Sequence, residues 1–387
     1  MPRSLIVLFL TIFVSLIGFG IIIPLLPFYA QTFGASPTTI GLLFASFSLA
    51  QFVAAPVLGE LSDRWGRRPV LIFSLLGTVL SFALLALAHT LTMLFVARII
   101  DGLSGGNITA ARAYIADVTP PEERAGRYGL IGAAFGLGFI LGPALGAAFA
   151  HISYTAPIWV AVGLSAVAAA LAFAWLPEPE RHQETNVPVW WRAIGDLTSR
   201  PGLGVLLGVD LLYWSTFAVY QTTFALFGQR RFGWDATHIG YILATFGVLG
   251  VLIQVRVVGP LSRRLGDKGT LVCGLACATL GLAIGALAHD VPVFLIGLVP
   301  VALGMGLCNP TLTSLISRSV GASEQGLVQG TAGSLESLGR TVGPIWGNAV
   351  LERFGEGTAY GAAALVFAAT MVLATGVRSP SRQAPVA

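Results

Sequence analysis

Charge is what this chain has least of. Only 10% of its 387 residues are Asp, Glu, Lys or Arg, against about 25% in a soluble domain, so it cannot cover a folded surface for water. Histidine (5) and cysteine (3) are scarce as well. There is no His-x3-His pair, which removes a common signature of metal-based catalysis. No Gly-x4-Gly-Lys-Ser/Thr loop is present, so ATP is not the energy source within this chain. Cys273 and Cys277 share a helical face, with Cys308 in another apolar run. A soft metal could sit on such a pair, yet no His or further Cys is near in sequence, and buried packing is the expectation. His89, His151 and His289 fall near the ends of apolar runs, where packing at an interface accounts for them. No metal and no cofactor are expected.

What fills the chain instead is apolar: 55% hydrophobic residues and a mean hydropathy of +0.81. Runs of about 18 or more apolar residues read as membrane spans. Twelve are placed, at 4–29, 39–58, 70–88, 92–116, 127–149, 155–175, 203–227, 237–257, 270–288, 292–316, 327–349 and 358–377. An even number puts both termini on one side. Of the 22 Lys and Arg, only Arg230, Arg231 and Arg353 fall in the odd-numbered loops, and Arg98, Arg112, Arg256 and Arg340 within spans. The rest crowd the termini and even-numbered loops, which makes that side cytoplasmic. The expectation is a multi-pass protein of the cell (inner) membrane. Its basic balance follows from topology and is no sign of nucleic-acid binding. The first span, with Arg3 ahead of it, is too long for a signal peptide and is read as retained.

The polar island Gly59–Arg68, Gly-Glu-Leu-Ser-Asp-Arg-Trp-Gly-Arg-Arg, returns as Gly-Pro-Leu-Ser-Arg-Arg-Leu-Gly-Asp-Lys at Gly259–Lys268. Ala86–His89 recurs at Ala286–His289, and Gly138, Gly142, Pro143 and Gly146 recur as Gly339, Gly343, Pro344 and Gly347. The fold class is therefore all-α: twelve transmembrane helices in two pseudo-symmetric six-helix bundles. Residues 1–176 form the first bundle, 177–200 a polar cytoplasmic linker and 201–387 the second. A substrate site is expected where such repeats meet.

An ionised side chain at the bilayer centre costs roughly 2.5–3.5 kcal/mol on insertion scales, so charges deep in spans need a reason. Asp101, Asp210 and Glu336 are the three acids near mid-span. Arg98 precedes Asp101 by three residues and Arg340 follows Glu336 by four, on the same helical face. Asp210 has no cation beside it in sequence. Asp210 and Asp101 lead as proton sites, Glu336 third, with Arg98 and Arg340 as partners. Two alternatives stand: static fasteners for the Arg–acid pairs, and a partner on another helix for Asp210. Cavity candidates are Phe19, Gln51, Asn107, Tyr213, Trp214, Phe217, Tyr220, Gln221, Gln254 and Asn309. Aromatic walls with few polar groups suit a lipophilic ligand, although interfacial belts also use aromatics; Trp190 and Trp191 in the linker fit the belt reading.

The island Gly59-x-Leu61-x-Asp63-Arg64-x-Gly66-Arg67-Arg68 resembles the signature loop of the major facilitator superfamily. Gly18 with Pro24 and Pro27, Arg98–Gly102 and Gly132–Ala147 resemble motifs of its twelve-span drug:proton antiporters. Asp101 stands where a Gln is more usual, and Ala147 where a Gly is. Ala113–Asp117 with Pro120–Arg124 is similar to tetracycline-type exporters. The resemblance implies a cytoplasmic gate made by Gly59, Asp63, Arg64, Gly66, Arg67 and Asp117. In it Arg67 pairs with Asp117, and Asp63 meets the helix beginning near Leu327. A plain positive-inside anchor would need no Asp63. The second loop has Arg263 and Asp267 where the first has Asp63 and Arg67, and is expected to serve topology more than gating. The antiporter motif is Gly138, Gly142, Pro143 and Gly146. The implied function is proton-coupled efflux of a small lipophilic or amphipathic, drug-like compound by alternating access, with antibiotic resistance as its consequence and no enzymatic activity. Expected partners are that compound, protons and the lipid bilayer, and the chain is expected to act as a monomer. A proton symporter for uptake, or a non-transporting membrane receptor, remain alternatives.

Overall fold

A computed structural model describes residues 3–105, 107–119, 121–179, 190–200, 202–321 and 324–377. Among these, every regular element is helical. The helices are α1 (Arg3–Gln31), α2 (Pro37–Trp65), α3 (Arg67–Ala86), α4 (Leu91–Ser104), α5 (Asn107–Val118), α6 (Pro121–Ala150) and α7 (Ala156–Trp175). They continue with α8 (Trp190–Ser199), α9 (Leu203–Phe232), α10 (Ala236–Ile253), α11 (Gly259–Leu287), α12 (Val291–Arg318), α13 (Gln325–Phe354) and α14 (Glu356–Gly376). The starts are chemically marked. Ser36 accepts from the Thr39 N–H ahead of Pro37, Thr90 from Met93 and Asp290 from Val293, each satisfying an amide that a helix N-terminus leaves open. Thr90 and Asp290 stand 200 residues apart, so the duplication reaches the caps.

Nine stretches among the described residues are long and apolar enough to cross a membrane, and Ala236–Leu287 contains two of the expected spans. The two other expected spans fall outside that measure for physical reasons. The span expected at 92–116 is broken into α4 and α5: Gly105 leaves the helix, and its carbonyl is taken by Gln51 Nε2 at 3.3 Å. The other, at 327–349 within α13, carries Glu336, Arg340 and many small polar residues. Between α10 and α11 the chain does not form an open loop. A π-helical turn, Gln254–Val258, leads directly into α11, and the only non-helical residue inside α11 is Gly266 at φ 70°. A further helix, α8, lies in the expected linker.

Large apolar side chains are exposed along many helices, among them Phe73, Val167, Leu280, Leu365 and Val372. In water such a surface would aggregate; in a bilayer it is the lipid-facing coat. The chain is a multi-pass membrane protein.

Two compact units emerge. The first comprises Met1–Thr185, Gln221–Val248 and Pro344–Glu352; the second comprises Asn186–Tyr220, Leu249–Gly343 and Arg353–Ala387. The main core of the first unit joins Leu8, Ile12 and Leu16 of α1 to Leu75, Tyr114, Ile131 and Ala168. In the second, Leu271, Leu275 and Leu282 of α11 are buried together with Phe294, Tyr360 and Phe367.

Candidate functional site

Glycines set the distances on which the charged clusters depend. In the first unit an added Cβ at Gly142 would lie 2.6 Å from the Gly20 Cα, and one at Gly138 2.6 Å from the Leu16 Cβ, so α6 rides directly on α1. In the second, a Cβ at Gly343 would lie 2.1 Å from the Ser215 carbonyl, and one at Gly339 2.8 Å from that of Leu211. Thus α13 sits on α9 as α6 sits on α1, through the repeated glycines. Gly146 makes only ordinary contact, and Pro143 lies inside α6.

The α9–α13 contact assembles four of the expected residues. Arg340 Nη2 donates to Glu336 Oε1 at 2.6 Å, and its guanidinium lies over the Trp214 ring, 4.3 Å from the centroid. The buried Asp210 carboxylate lies where the charges of Glu336 and Arg340 reach it. Asp210, isolated in sequence, therefore has an acid and a cation of another helix near it, although Arg340 bonds only Glu336. Tyr213, Trp214 and Phe217 stack around the cluster at 5.4–6.2 Å between centroids, and the Tyr213 hydroxyl donates to the Met305 carbonyl.

A parallel arrangement occupies the first unit. Arg98, 1% exposed, donates from Nη1 to Asp101 Oδ2 at 2.9 Å and lies over the Phe47 ring at 4.2 Å. Gly102 permits it, since a Cβ there would be 2.3 Å from the Phe47 carbonyl. Phe19 packs on Phe47 and Phe139 at 5.8 and 6.0 Å, which brings Phe19 and Gln51 to the same side of α2 and α4 as the ion pair. Each unit thus holds an arginine tied to an acid on its own helix and laid on an aromatic ring of a neighbouring one. Sequence reading supplied the pairs; it did not identify Phe47, whose only signal is aromatic character.

Other candidates lie elsewhere. Tyr220 is buried against Tyr360 at 6.1 Å. Gln254 is exposed in the π-helical turn, Asn309 is exposed on α12 and Gln221 is half-buried. The Asn107 side chain is outside the described ones.

The first loop is tightly knit. Arg67 donates to Asp117 at 2.7 Å, to Asp63 at 2.5 Å and to Ser62 at 3.2 Å. Arg64 pairs with Glu60 at 2.6 Å, and both are largely exposed. Within its own unit Asp63 is therefore held by Arg67. Gly66 has φ 110°, which disfavours any other residue. At Gly59, by contrast, an added Cβ would meet nothing within 4 Å, so that glycine holds no close approach. Glu178, unremarked in the sequence, closes the loop: its carboxylate accepts from the backbone N–H groups of Arg67 and Arg68 at 2.6 and 3.0 Å. It caps α3 where Gly66 has no side chain to do so.

At the opposite end of α2, Glu352 of α13 accepts from Ser36 Oγ at 2.9 Å and the Thr38 N–H at 2.7 Å. Contacts with Thr38, the Ser36 hydroxyl and the charge of Arg230 hold the Glu352 carboxyl below its ordinary range. Nearby, the amides of Gln31 and Gln229 exchange hydrogen bonds of 2.9 Å.

Known proteins resemble this chain over most of its length. The model of the Major Facilitator Superfamily matches residues 8–344 and, overlapping, 211–386. Tetracycline resistance protein, class C, of Escherichia coli is 35% identical over 353 residues, covering 89% of this chain and 88% of that protein. Multidrug resistance protein 2 of Bacillus subtilis (strain 168) is 30% identical over 355 residues, covering 90% and 88%. Among solved structures, the human organic anion transporter MFSD10 (TETRAN) superposes with a TM-score of 0.74 at 24% identity, covering 97% of this chain and all of the other. The nucleoside transporter NupG gives 0.77 at 15% identity, over 99% and 100%. At such identities these two speak for the fold alone.

Proposed function

The chain belongs to the Major Facilitator Superfamily, and from that premise we propose that it exports a small lipophilic or amphipathic compound, tetracycline-like in character, in exchange for protons. Both termini are cytoplasmic in this reading, and the membrane is the cell's inner one. Relatives named for tetracycline and multidrug resistance support the substrate class. The observation that carries the mechanism is the cluster of Asp210, Trp214, Glu336 and Arg340. A carboxylate withdrawn from water is stabilised either by a cation or by taking up a proton. Arg340 is bonded to Glu336 and only near Asp210, so the one arginine does not fully compensate both acids. Any movement of α13 along α9 alters which acid Arg340 serves, and the other is left to bind or release a proton. Arg98 and Asp101 offer a second exchangeable site. The aromatic faces of Tyr213, Trp214 and Phe217 give a flat apolar molecule a surface to stack on. An inward proton gradient supplies the energy, its electrical part being worth about 2.3 kcal/mol per charge per 100 mV.

Proteoliposomes with an imposed pH gradient test this directly. Tetracycline or ethidium should accumulate only while the gradient lasts, and Asp210→Asn should abolish the gradient-driven component. Normal gradient-driven transport by Asp210→Asn would remove Asp210 as the proton site. Failure of a broad panel of lipophilic drugs to move at all would overturn the exporter reading.

A further inference from the structure

The second polar loop repeats the first with its charges exchanged. Gly66 and Gly266, 200 residues apart, both have positive φ, 110° and 70°. Ser62 and Ser262 hold the same relation, and each is hydrogen-bonded to the residue five ahead of it, Arg67 in one loop and Asp267 in the other. That residue then reaches the end of a neighbouring helix. Arg67 meets Asp117 on α5 at 2.7 Å; Asp267 meets Arg318 on α12 at 3.3 Å. Residues 117 and 318 are 201 apart, the offset at which the glycines of α6 recur in α13. A third contact is special to the second loop, where Ser314 Oγ donates to Asp267 Oδ2 at 2.7 Å. Asp267 is 12% exposed and Arg318 68%. The carboxylate is thus the fixed hub, and the arginine its solvent-side partner.

A loop needed only to keep positive charge on one side has no use for an inward-facing carboxylate with three partners. The expectation that the second loop serves topology leaves Asp267 unexplained. We propose that Asp267 and Arg318 are positioning residues of the transport cycle, pinning the 259–268 turn to the end of α12 as Arg67 and Asp117 pin the first loop to α5. The inference rests on the reading of the first loop as a gate and extends that work to the second. Burial of Asp267 alone would lift its carboxyl, but hydrogen bonds from Ser262 and Ser314 and the charge of Arg318 outweigh it and hold the carboxyl below the ordinary range.

The test exchanges the charges in the full-length protein. Asp267→Ala should lower the maximal rate of tetracycline export about tenfold with little change in KM, the pattern of a lost conformational step rather than lost binding. Arg318→Ala, losing an exposed partner, should cost less. The double exchange Asp267→Arg with Arg318→Asp recreates the polarity of the first loop and should recover most of the rate, whereas Asp267→Arg alone should not. Hydrogen exchange of the 259–268 amides supplies a readout free of substrate: protection should fall in Asp267→Ala and return in the exchanged pair. Wild-type rates in Asp267→Ala, or unchanged amide protection, would overturn the proposal while leaving the first-loop gate intact if Arg67→Ala is inactive. Should the wild-type protein move no tetracycline, the exporter reading fails and amide protection alone decides whether the pair holds the turn.

Discussion

Removing the Glu178 carboxylate would leave the first amides of α3 without an acceptor, and the loss of such a cap costs about 0.5–2 kcal/mol. Gly66 lies directly beneath the same carboxylate. A Cβ there would lie 2.4 Å from Glu178 Oε1, at a φ of 110°. The two positions should therefore be non-additive. In detergent, Glu178→Ala should lower thermal stability by an amount in the capping range, and Gly66→Ala by more. Gly66→Ala should cost less on a Glu178→Ala background, because the clash disappears and only the backbone strain remains. Strict additivity in that double-mutant cycle would show that the carboxylate does not occupy the space above Gly66. Neither the capping role nor the coupling can be read from the sequence, since 111 residues separate Arg67 from Glu178.

At the scale of helices, the same small residues that mark the antiporter motif fix two interhelical contacts, and the structure separates those that matter from those that do not. Gly142→Ala and Gly343→Ala place a methyl group against the backbone of α1 and α9 at 2.6 and 2.1 Å. Overpacking of that kind costs typically about 1–3 kcal/mol. Gly132→Ala in α6 and Gly163→Ala in α7 meet nothing within 4 Å and should be neutral or slightly stabilising, as a helix gains from Ala. Thermal melts of the four variants would discriminate; equal losses would mean that the glycines serve flexibility rather than close packing. Much at this scale was legible in advance. Apolar runs located the spans, because twenty residues in lipid have few alternatives to a helix. The repeat located the glycines, and the i+3 and i+4 spacings located the two arginine–acid pairs. What stayed hidden depends on contacts between distant segments. The break at Gly105 is held by Gln51, Phe47 lies under Arg98, and Trp214 of one helix lies under Arg340 of another. Spacing along one helix carries none of that information.

At the scale of the whole molecule, the sequence repeat and the compact units divide the chain differently. The duplication splits it near the linker, yet the first unit also takes Gln221–Val248 and Pro344–Glu352 from the second repeat. Within that unit the joining contacts are of two kinds: close packing of Gly41 on Pro344, Gly240 on Pro143 and Ala147, and Gly247 on Phe139, and polar bonds at one end. Glu352 caps α2 through Ser36 and Thr38, and Gln31 pairs with Gln229. Hydrogen bonds of this kind contribute about 0.5–1.5 kcal/mol each, more where a carboxylate accepts, so the polar end is the weaker part of the contact. If transport proceeds by alternating access, α2 and α13 have to part at this point once per cycle. Replacing Cys273, Cys277 and Cys308 by Ser and introducing Ser36→Cys with Glu352→Cys would let a short bifunctional thiol reagent bridge the two helices. Bridged protein in proteoliposomes should lose gradient-driven drug transport, and cleaving the bridge with reductant should restore it; either cysteine alone, treated identically, should be unaffected. Full transport through a verified bridge would mean that α2 and α13 stay together throughout the cycle, and the moving boundary would then have to be sought elsewhere in the bundle.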